Sequence, residues 1–272
     1  MPIYDQRLAL EAVEQLSPSQ YVLLFNSPEI AADCQPGQFV MIAASDSIDP
    51  LLRRPMAIYR VHRDAQGCPY GFSLLIEIYG RGTRLLRQRL PGEVVKVLGP
   101  LGVPFELPSD PAEGGEQLLV MGGVGAAPFP LLAEKLLQRG HVVRAFVGAR
   151  TAESLLCLQD FEDLGVPVEV ATDDGSRGYH GFVSGPLERY LSQQPSSPAT
   201  LYACGPKLMM RAVDTIARAA NLPLQVSFEA PMACGIGVCL SCVVKLRRGE
   251  SWVWARCCRE GPVFDSRELV WE

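Results

Sequence analysis

The stretch Gln117-Leu118-Leu119-Val120-Met121-Gly122-Gly123-Val124-Gly125 reads as a continuous apolar strand running directly into a glycine turn. A helical pattern follows over Pro128–Arg139 and stops at Gly140, a natural position for a helix to end. Downstream, Val142–Val147 reads as a strand, Ser154–Leu164 as a helix and Val168–Ala171 as a strand. Pro186–Ser192 then reads as a short helix, Leu201–Ala203 as a strand and Lys207–Asn221 as a helix. Strand and helix in alternation predict a parallel, doubly wound sheet with right-handed crossovers. In such a sheet the Gly122–Gly125 turn allows a tight reversal and brings helix amides toward a pyrophosphate. Many ordinary strand-to-helix turns also contain glycine, so the loop alone leaves both readings open.

Upstream the pattern changes. Tyr21–Phe25, Phe39–Ala43, Met56–Val61, Ser73–Tyr79 and Val94–Leu98 are short runs rich in Val, Ile, Phe and Tyr. Pro36-Gly37, Gln66-Gly67 and Pro91-Gly92 punctuate them, and strands at this spacing predict an antiparallel barrel. Ser109–Glu116, polar with Gly and Pro, reads as a linker, and Ser227–Glu272 shows little regular pattern. The expected class is therefore β plus α/β in three parts: a β-barrel over 1–108, a nucleotide-type α/β unit over 117–226 and a small lobe over 227–272. Two barrel features suit phosphate contact. Gly80-Arg81-Gly82-Thr83 follows a strand with small residues and a cation, and Arg53-Arg54-Pro55-Met56 opens another with arginines fit for bidentate contact. Alone, the first fits an ordinary turn equally well, and for the second a solvated arginine pair is the favoured reading.

The chain has 272 residues and 48% hydrophobic content, enough for about two ordinary domains. A formal net charge of -5 argues against nucleic acid as a partner, because phosphate binding needs a basic field. No apolar run approaches the roughly 18 residues of a membrane-spanning helix. Met1–Gln15 is charged and lacks the apolar segment of a secretory signal, so a cytoplasmic location is expected.

Nine cysteines is an odd count, unlike a secreted disulfide scaffold. Cys34, Cys68, Cys157 and Cys204 are scattered, while the others crowd between Cys234 and Cys258. Cys234-Gly235-Ile236-Gly237-Val238-Cys239-Leu240-Ser241-Cys242 has the spacing C-x4-C-x2-C, with a fourth cysteine at Cys257 or Cys258. This is the plant-type ferredoxin arrangement for a 2Fe–2S cluster. Such a cluster needs four thiolates, two per iron, and backbone amides near its sulfides, which Gly235 and Gly237 allow to come close. The competing readings are buried free thiols and a four-thiolate zinc site. Zinc knuckles usually pair two C-x2-C units, and only one is present.

In order along the chain, Arg54-Pro55-Met56-Ala57, Gly80-Arg81-Gly82-Thr83, Gly99-Pro100-Leu101-Gly102, Gly122-Gly123-Val124-Gly125 and Cys204-Gly205-Pro206 resemble the ferredoxin–NADP reductase superfamily. Met232 through Cys239 and Gly261-Pro262-Val263-Phe264 resemble one branch of it, the electron-transfer subunits of NAD-linked dihydroorotate dehydrogenase. The resemblance covers essentially the whole chain. It implies a flavin-binding barrel, a nicotinamide-binding sheet and a 2Fe–2S lobe, with FAD, the cluster and NAD as cofactors. Arg54, Pro55, Met56 and Ala57, then Tyr79, Gly80, Gly82 and Thr83, match its flavin side; Ala57 stands where Ser is common. Gly122, Gly123, Gly125, Cys204, Gly205 and Pro206 match its nicotinamide edge, with Thr172-Asp173-Asp174-Gly175 beside it. The register of Gly261–Phe264 places the cluster ligands at Cys234, Cys239, Cys242 and Cys258, and leaves Cys257 at a position usually apolar. Ala230-Pro231 departs from the family's more polar pattern.

The implied partner is an FMN-containing dihydroorotate dehydrogenase catalytic subunit, in a heterotetramer with two subunits of each kind. NADH carries two electrons, a 2Fe–2S cluster one at a time, and a flavin does both, so FAD is expected between them. No side chain is expected to act as an acid or base. Arg150 and Arg177 are candidates for a ribose phosphate, whereas the family prefers NADH. The alternative is a reductase subunit serving ferredoxin, hydrogenase or glutamate synthase. Oxygenase reductases fit less well, because only the fifteen residues 243–257 separate Cys242 from Cys258. An iron–sulfur redox sensor without turnover would not need the glycine loops.

Overall fold

The computed structural model describes residues 2–111, 115–194 and 197–271. Residues 112–114 of the expected linker lie outside them. Among the described residues the strands form two seven-stranded sheets and a separate two-stranded hairpin.

The first sheet contains β1 (Tyr4–Gln15), β2 (Gln20–Asn26), β3 (Phe39–Ile42), β4 (Arg54–Ala57), β5 (Arg60–Arg63), β6 (Pro69–Glu77) and β7 (Val94–Leu101). Its order is β4-β3-β7-β1-β2-β6-β5. β4 and β5 stand at opposite edges, yet only Ile58 and Tyr59 join them. The Ile58 amide donates to Gln38 O at 3.1 Å and the Tyr59 amide to Ser73 O at 2.9 Å, one bond toward each edge. The sheet must therefore curl until its edges nearly meet. Leu10, Tyr21, Leu23, Phe25, Phe72 and Leu74 fill the interior.

Two strand expectations are corrected here. Met56–Val61, read as one strand, is split between β4 and β5, because the chain changes edge at Ile58. Residues 4–15, not read as a strand at all, form the longest strand of the sheet. The segment is rich in residues that favour helices, but pairing with β7 on one side and β2 on the other overrides that preference. Two short helices join the barrel: α1 (Pro28–Asp33), whose cap Ser27 Oγ accepts the Ile30 amide at 3.3 Å, and α2 (Arg81–Arg87).

The second sheet contains β8 (Glu116–Gly122), β9 (Val143–Ala149), β10 (Val168–Thr172), β11 (Tyr179–His180), β12 (Ala199–Cys204), β13 (Leu224–Ser227) and β16 (Val263–Asp265). The helices are α3 (Phe129–Gln138), α4 (Leu158–Asp163), α5 (Ser184–Gln193) and α6 (Lys207–Ala219). The order β11-β10-β9-β8-β12-β13-β16 is parallel throughout except for β16. The chain starts at β8 and winds first one way, then the other, so the topological switch lies beside β8. The helix expected over Ser154–Leu164 shortens to α4, because Cys157 takes a left-handed φ of 62° and breaks the run.

Residues 227–272, expected to lack regular structure, contain a hairpin of β14 (Val243–Arg248) and β15 (Ser251–Arg256), followed by β16. β16 leaves the lobe and pairs antiparallel with β13, Ser227 opposite Val263, and the Phe228 amide donates to Pro262 O at 2.8 Å.

Candidate functional site

The C-terminal ends of β8 and β12 lie side by side, at the switch where open α/β sheets bind ligands. The glycine turn leaves β8 and the Cys204-Gly205-Pro206 turn leaves β12. A methyl group on Gly125 would meet Gly205 Cα and N at 2.6 Å, so the two turns touch backbone to backbone. Gly123–Ala126 forms a short 3-10 turn, not the first turn of a helix. Pro128 and Pro130 frame the start of α3 and carry no N–H. The helix amides expected to meet a pyrophosphate are thus partly missing, and the turn's own backbone must serve instead. Burial pushes the Cys204 thiol up. At the end of β10, Asp174 Oδ1 accepts from the Ser176 hydroxyl at 2.6 Å and the Ser176 amide at 3.0 Å, which holds this carboxyl below its usual range.

On the barrel, β4 presents Arg54 to the start of α2. A methyl group on Gly82 would lie 2.4 Å from Arg54 Nε, so a side chain there would displace the guanidinium. Thr83 Oγ1 accepts the amides of Tyr79 at 2.9 Å and Gly80 at 3.1 Å and closes the turn, and Tyr21 Oη donates to Thr83 O at 2.6 Å. Tyr79 is 96% exposed, its ring held outward by that turn. The other two arginines considered for phosphate point elsewhere: Arg53 pairs with Asp5 and Arg81 with Asp49. Pro55, Met56 and Ala57 pair with Met41, Val40 and Phe39 of β3.

The hairpin explains how cysteines far apart in sequence meet. Val243 pairs with Arg256, so Cys242 and the residues after β15 are adjacent by register. The Cys257 amide donates to Cys242 O at 2.8 Å, and the Cys258 amide to Cys242 Sγ at 3.4 Å. The Cys258 thiol interacts with that of Cys242 and, more weakly, with that of Cys234, while the Cys234 thiol interacts with that of Cys239, so the four thiols gather in two pairs. Among the described residues no three His, Cys, Asp or Glu side chains converge as ligands of a single ion would. Two thiol pairs suit a two-iron cluster instead, one pair per iron. Partial burial raises Cys234, but the amides of Cys239, Ile236 and Val238 outweigh it and hold this thiol at about 6. Burial, then the Cys242 thiol, pushes Cys258 up to about 12. Cys257 turns away, its Sγ donating to Phe228 O at 2.8 Å.

Sequence reasoning missed Met41. A methyl group on Gly235 would meet Met41 Cγ at 2.4 Å, so the cysteine loop sits on β3, and Met41 pairs directly with Pro55 of β4. The cysteine loop and the Arg54–Ala57 strand are thus separated by one strand position. No local pattern around Met41 signals this.

Comparison with known proteins agrees with this arrangement. Residues 229–270 match the iron–sulfur cluster binding domain of dihydroorotate dehydrogenase B, and residues 119–215 the oxidoreductase NAD-binding domain. The dihydroorotate dehydrogenase B (NAD(+)) electron transfer subunit of Desulforamulus reducens is 40% identical over 271 residues, covering 99% of both chains. The subunit of the same name from Geobacillus thermodenitrificans is 37% identical over 97% of this chain and 98% of its own. Among solved structures, an NADH-dependent reduced ferredoxin–NADP oxidoreductase superposes with a TM-score of 0.83 at 26% identity, covering 98% of this chain and 90% of the other. With near full-length identity at this level, the chain belongs to the electron-transfer subunits of NAD-linked dihydroorotate dehydrogenase B.

Proposed function

We propose that this chain carries electrons from the FMN of a dihydroorotate dehydrogenase catalytic subunit, through a 2Fe–2S cluster and FAD, to NAD in pyrimidine biosynthesis. The observation that carries the proposal is the seat of the cysteine loop. Its inner side rests on Met41, one strand from the Arg54–Ala57 strand, while Ile236, Val238 and Leu240 on its outer side are 47%, 76% and 61% exposed. A relay needs this placement, with one side against the next carrier and the other open to the donor. When bound, FAD exchanges electrons singly or in pairs and the cluster singly, which joins a hydride carrier to a one-electron path.

The residues present fit these groups. Cys234 with Cys239, and Cys242 with Cys258, supply the four thiolates. Arg54, stacked on Gly82, provides a fixed cation for the flavin phosphates, with Thr83 shaping the turn beside it; Pro55, Met56, Ala57, Tyr79 and Gly80 complete that side. Gly122, Gly123, Gly125, Cys204, Gly205 and Pro206 form the nicotinamide edge. None of these side chains is given an acid or base role. Among the described residues no helix is long and apolar enough to cross a membrane. The site of action proposed for this relay is the cytoplasm.

The partner face continues from the cysteine loop onto the hairpin. Trp252 and Trp254 are 47% and 56% exposed, and the Lys245 ammonium lies 4.6 Å and 5.3 Å from their ring centroids. A cleft of about 370 Å³ lined by Leu240, Val243, Trp254, Arg256 and Glu260 joins this pair to the loop. Tryptophan is enriched among the few residues that carry most of an interface's energy. Trp254→Ala is expected to weaken assembly with the catalytic subunit by roughly 30-fold, about 2 kcal/mol, in a titration of purified subunits. An unchanged Kd would move the interface elsewhere.

The decisive experiment is co-purification with the FMN-containing catalytic subunit, with the mass of the complex compared with two copies of each chain. A dihydroorotate-dependent NAD reduction assay follows. Activity that needs both chains is expected. In a Cys239→Ser variant that coupled activity should vanish while NADH-to-dye activity persists. Full orotate-linked turnover without a cluster would overturn the relay. A chain that binds FAD and cluster and oxidises NADH, yet assembles with no such subunit, would point to the ferredoxin, hydrogenase or glutamate synthase reductases instead.

A further inference from the structure

The residues assigned to flavin stand on the barrel and those assigned to nicotinamide on the α/β sheet. The gap between the two half-sites is therefore set by how one layer sits on the other. Reacting atoms must approach to roughly 3–3.5 Å, and a misplacement of about 1 Å costs on the order of 100-fold in rate. Much of the contact between the layers is apolar, with Val22, Leu75 and Phe105 in one cluster with Phe129 and Leu132. Apolar contact is non-directional and resists sliding poorly.

A polar joint, buried at Tyr59 and Asp160 and open to solvent at Arg60, crosses the same contact. Asp160, on the first turn of α4, is 6% exposed. Its Oδ2 accepts from Tyr59 Oη at 2.7 Å and its Oδ1 from Arg60 Nε at 2.5 Å, with Arg60 Nη2 also on Oδ1. The Arg60 guanidinium lies 4.6 Å from the Tyr59 ring centroid. Both ends of the joint lead straight into the half-sites. Tyr59 follows Ala57 by two residues, in the link that carries the chain from β4 to β5. Asp160 follows Cys157 by three, and Cys157 Sγ donates to Ala126 O at 3.7 Å, at the end of the glycine turn. With Arg60 44% exposed, its ion pair adds little to stability, whereas the buried and directional Tyr59–Asp160 hydrogen bond fixes orientation.

We propose that Tyr59 and Asp160 are positioning residues that hold the flavin half-site in register with the nicotinamide half-site. This rests on the assignment of those half-sites and not on the partner subunit. The test uses the FAD- and cluster-loaded chain alone, mixed anaerobically with NADH, comparing the parent with Tyr59→Phe, Asp160→Asn and the double variant. Three readouts are followed: the rate of flavin bleaching, the Kd for NADH, and the long-wavelength charge-transfer absorbance that reports nicotinamide stacked on flavin.

Tyr59→Phe is expected to slow bleaching by roughly 10- to 100-fold, to leave Kd within about threefold and to weaken the charge-transfer band. The double variant is expected to be no slower than Asp160→Asn, because the two side chains act as one joint. A Tyr59→Phe protein with full FAD content, a rate within about twofold of the parent and an unchanged band would overturn the proposal. That variant removes a single oxygen atom, so it decides the question even if Asp160→Asn does not fold. A parent chain that NADH fails to bleach would overturn the half-site assignment itself.

Discussion

Cys258→Ser is expected to abolish the visible absorbance of the cluster, while Cys257→Ser, one position away, retains it. The two neighbours leave β15 in opposite directions. Cys257 is fully buried and its Sγ is committed to Phe228 O at 2.8 Å. Its surroundings push the thiol up, first by burial and then through Cys242 and Cys258. Cys258 faces the loop: its amide meets Cys242 Sγ at 3.4 Å, and the Cys242 thiol helps push the Cys258 thiol up. Loss of an outer partner of a metal ligand typically costs about 10- to 100-fold in affinity, and loss of the ligand itself should cost at least that. Iron and sulfide content per chain, read with the absorbance, checks both variants. Equal loss in the two would mean that Cys257 takes part in ligation and that the register across β14–β15 has been misjudged.

Gly235→Ala is expected to be the most damaging single-methyl addition in the cysteine loop. Gly235 has a φ of 72°, and an added methyl would lie 2.4 Å from Met41 Cγ and 3.0 Å from its Sδ. The left-handed backbone costs an L residue roughly 1–2 kcal/mol, and overpacking a filled core about 1–3 kcal/mol more. Met41 is completely buried, so it has no free space to retreat into. A destabilisation of about 2–5 kcal/mol is expected, read as a lower urea midpoint together with reduced cluster content. Met41→Ala combined with Gly235→Ala should cost less than the two single changes added, because the shorter side chain vacates the point of collision. An unfolding free energy within about 0.5 kcal/mol of the parent would show that the loop does not rest on β3.

The α/β half was readable because its signals are local. An apolar strand, a glycine turn and a helix ending at glycine follow one another within a few residues, and Gln117–Gly140 folds accordingly. The cysteine spacing was readable for the same reason, since Cys234, Cys239 and Cys242 share one loop. The failures share an opposite cause. Residues 4–15 favour helix locally and become a strand only because β2 and β7 flank them. The break at Ile58 exists only because a sheet must close. The hairpin between Cys242 and Cys258 did alternate, with Trp252 and Trp254 on one side and Val253 on the other, but arginines dilute the pattern, and these three apolar residues remain exposed while Val244, Leu246 and Ala255 are buried. Met41 under Gly235, and Asp160 against Tyr59 across 101 residues, are pairings no single segment encodes.

The return of β16 to the α/β sheet decides what kind of device the lobe is. Entry at Ser227 and exit at Val263 are hydrogen-bonded neighbours on adjacent strands, so the thirty-odd residues between them form a loop-out from a closed gate and not a tail on a tether. A tethered carrier would swing between donor and acceptor and be limited by the time of flight. A loop-out pinned at both feet, and seated on Met41, has nowhere to swing. Electrons must then cross a fixed junction, and the speed of the route depends on how well the donor is brought to it.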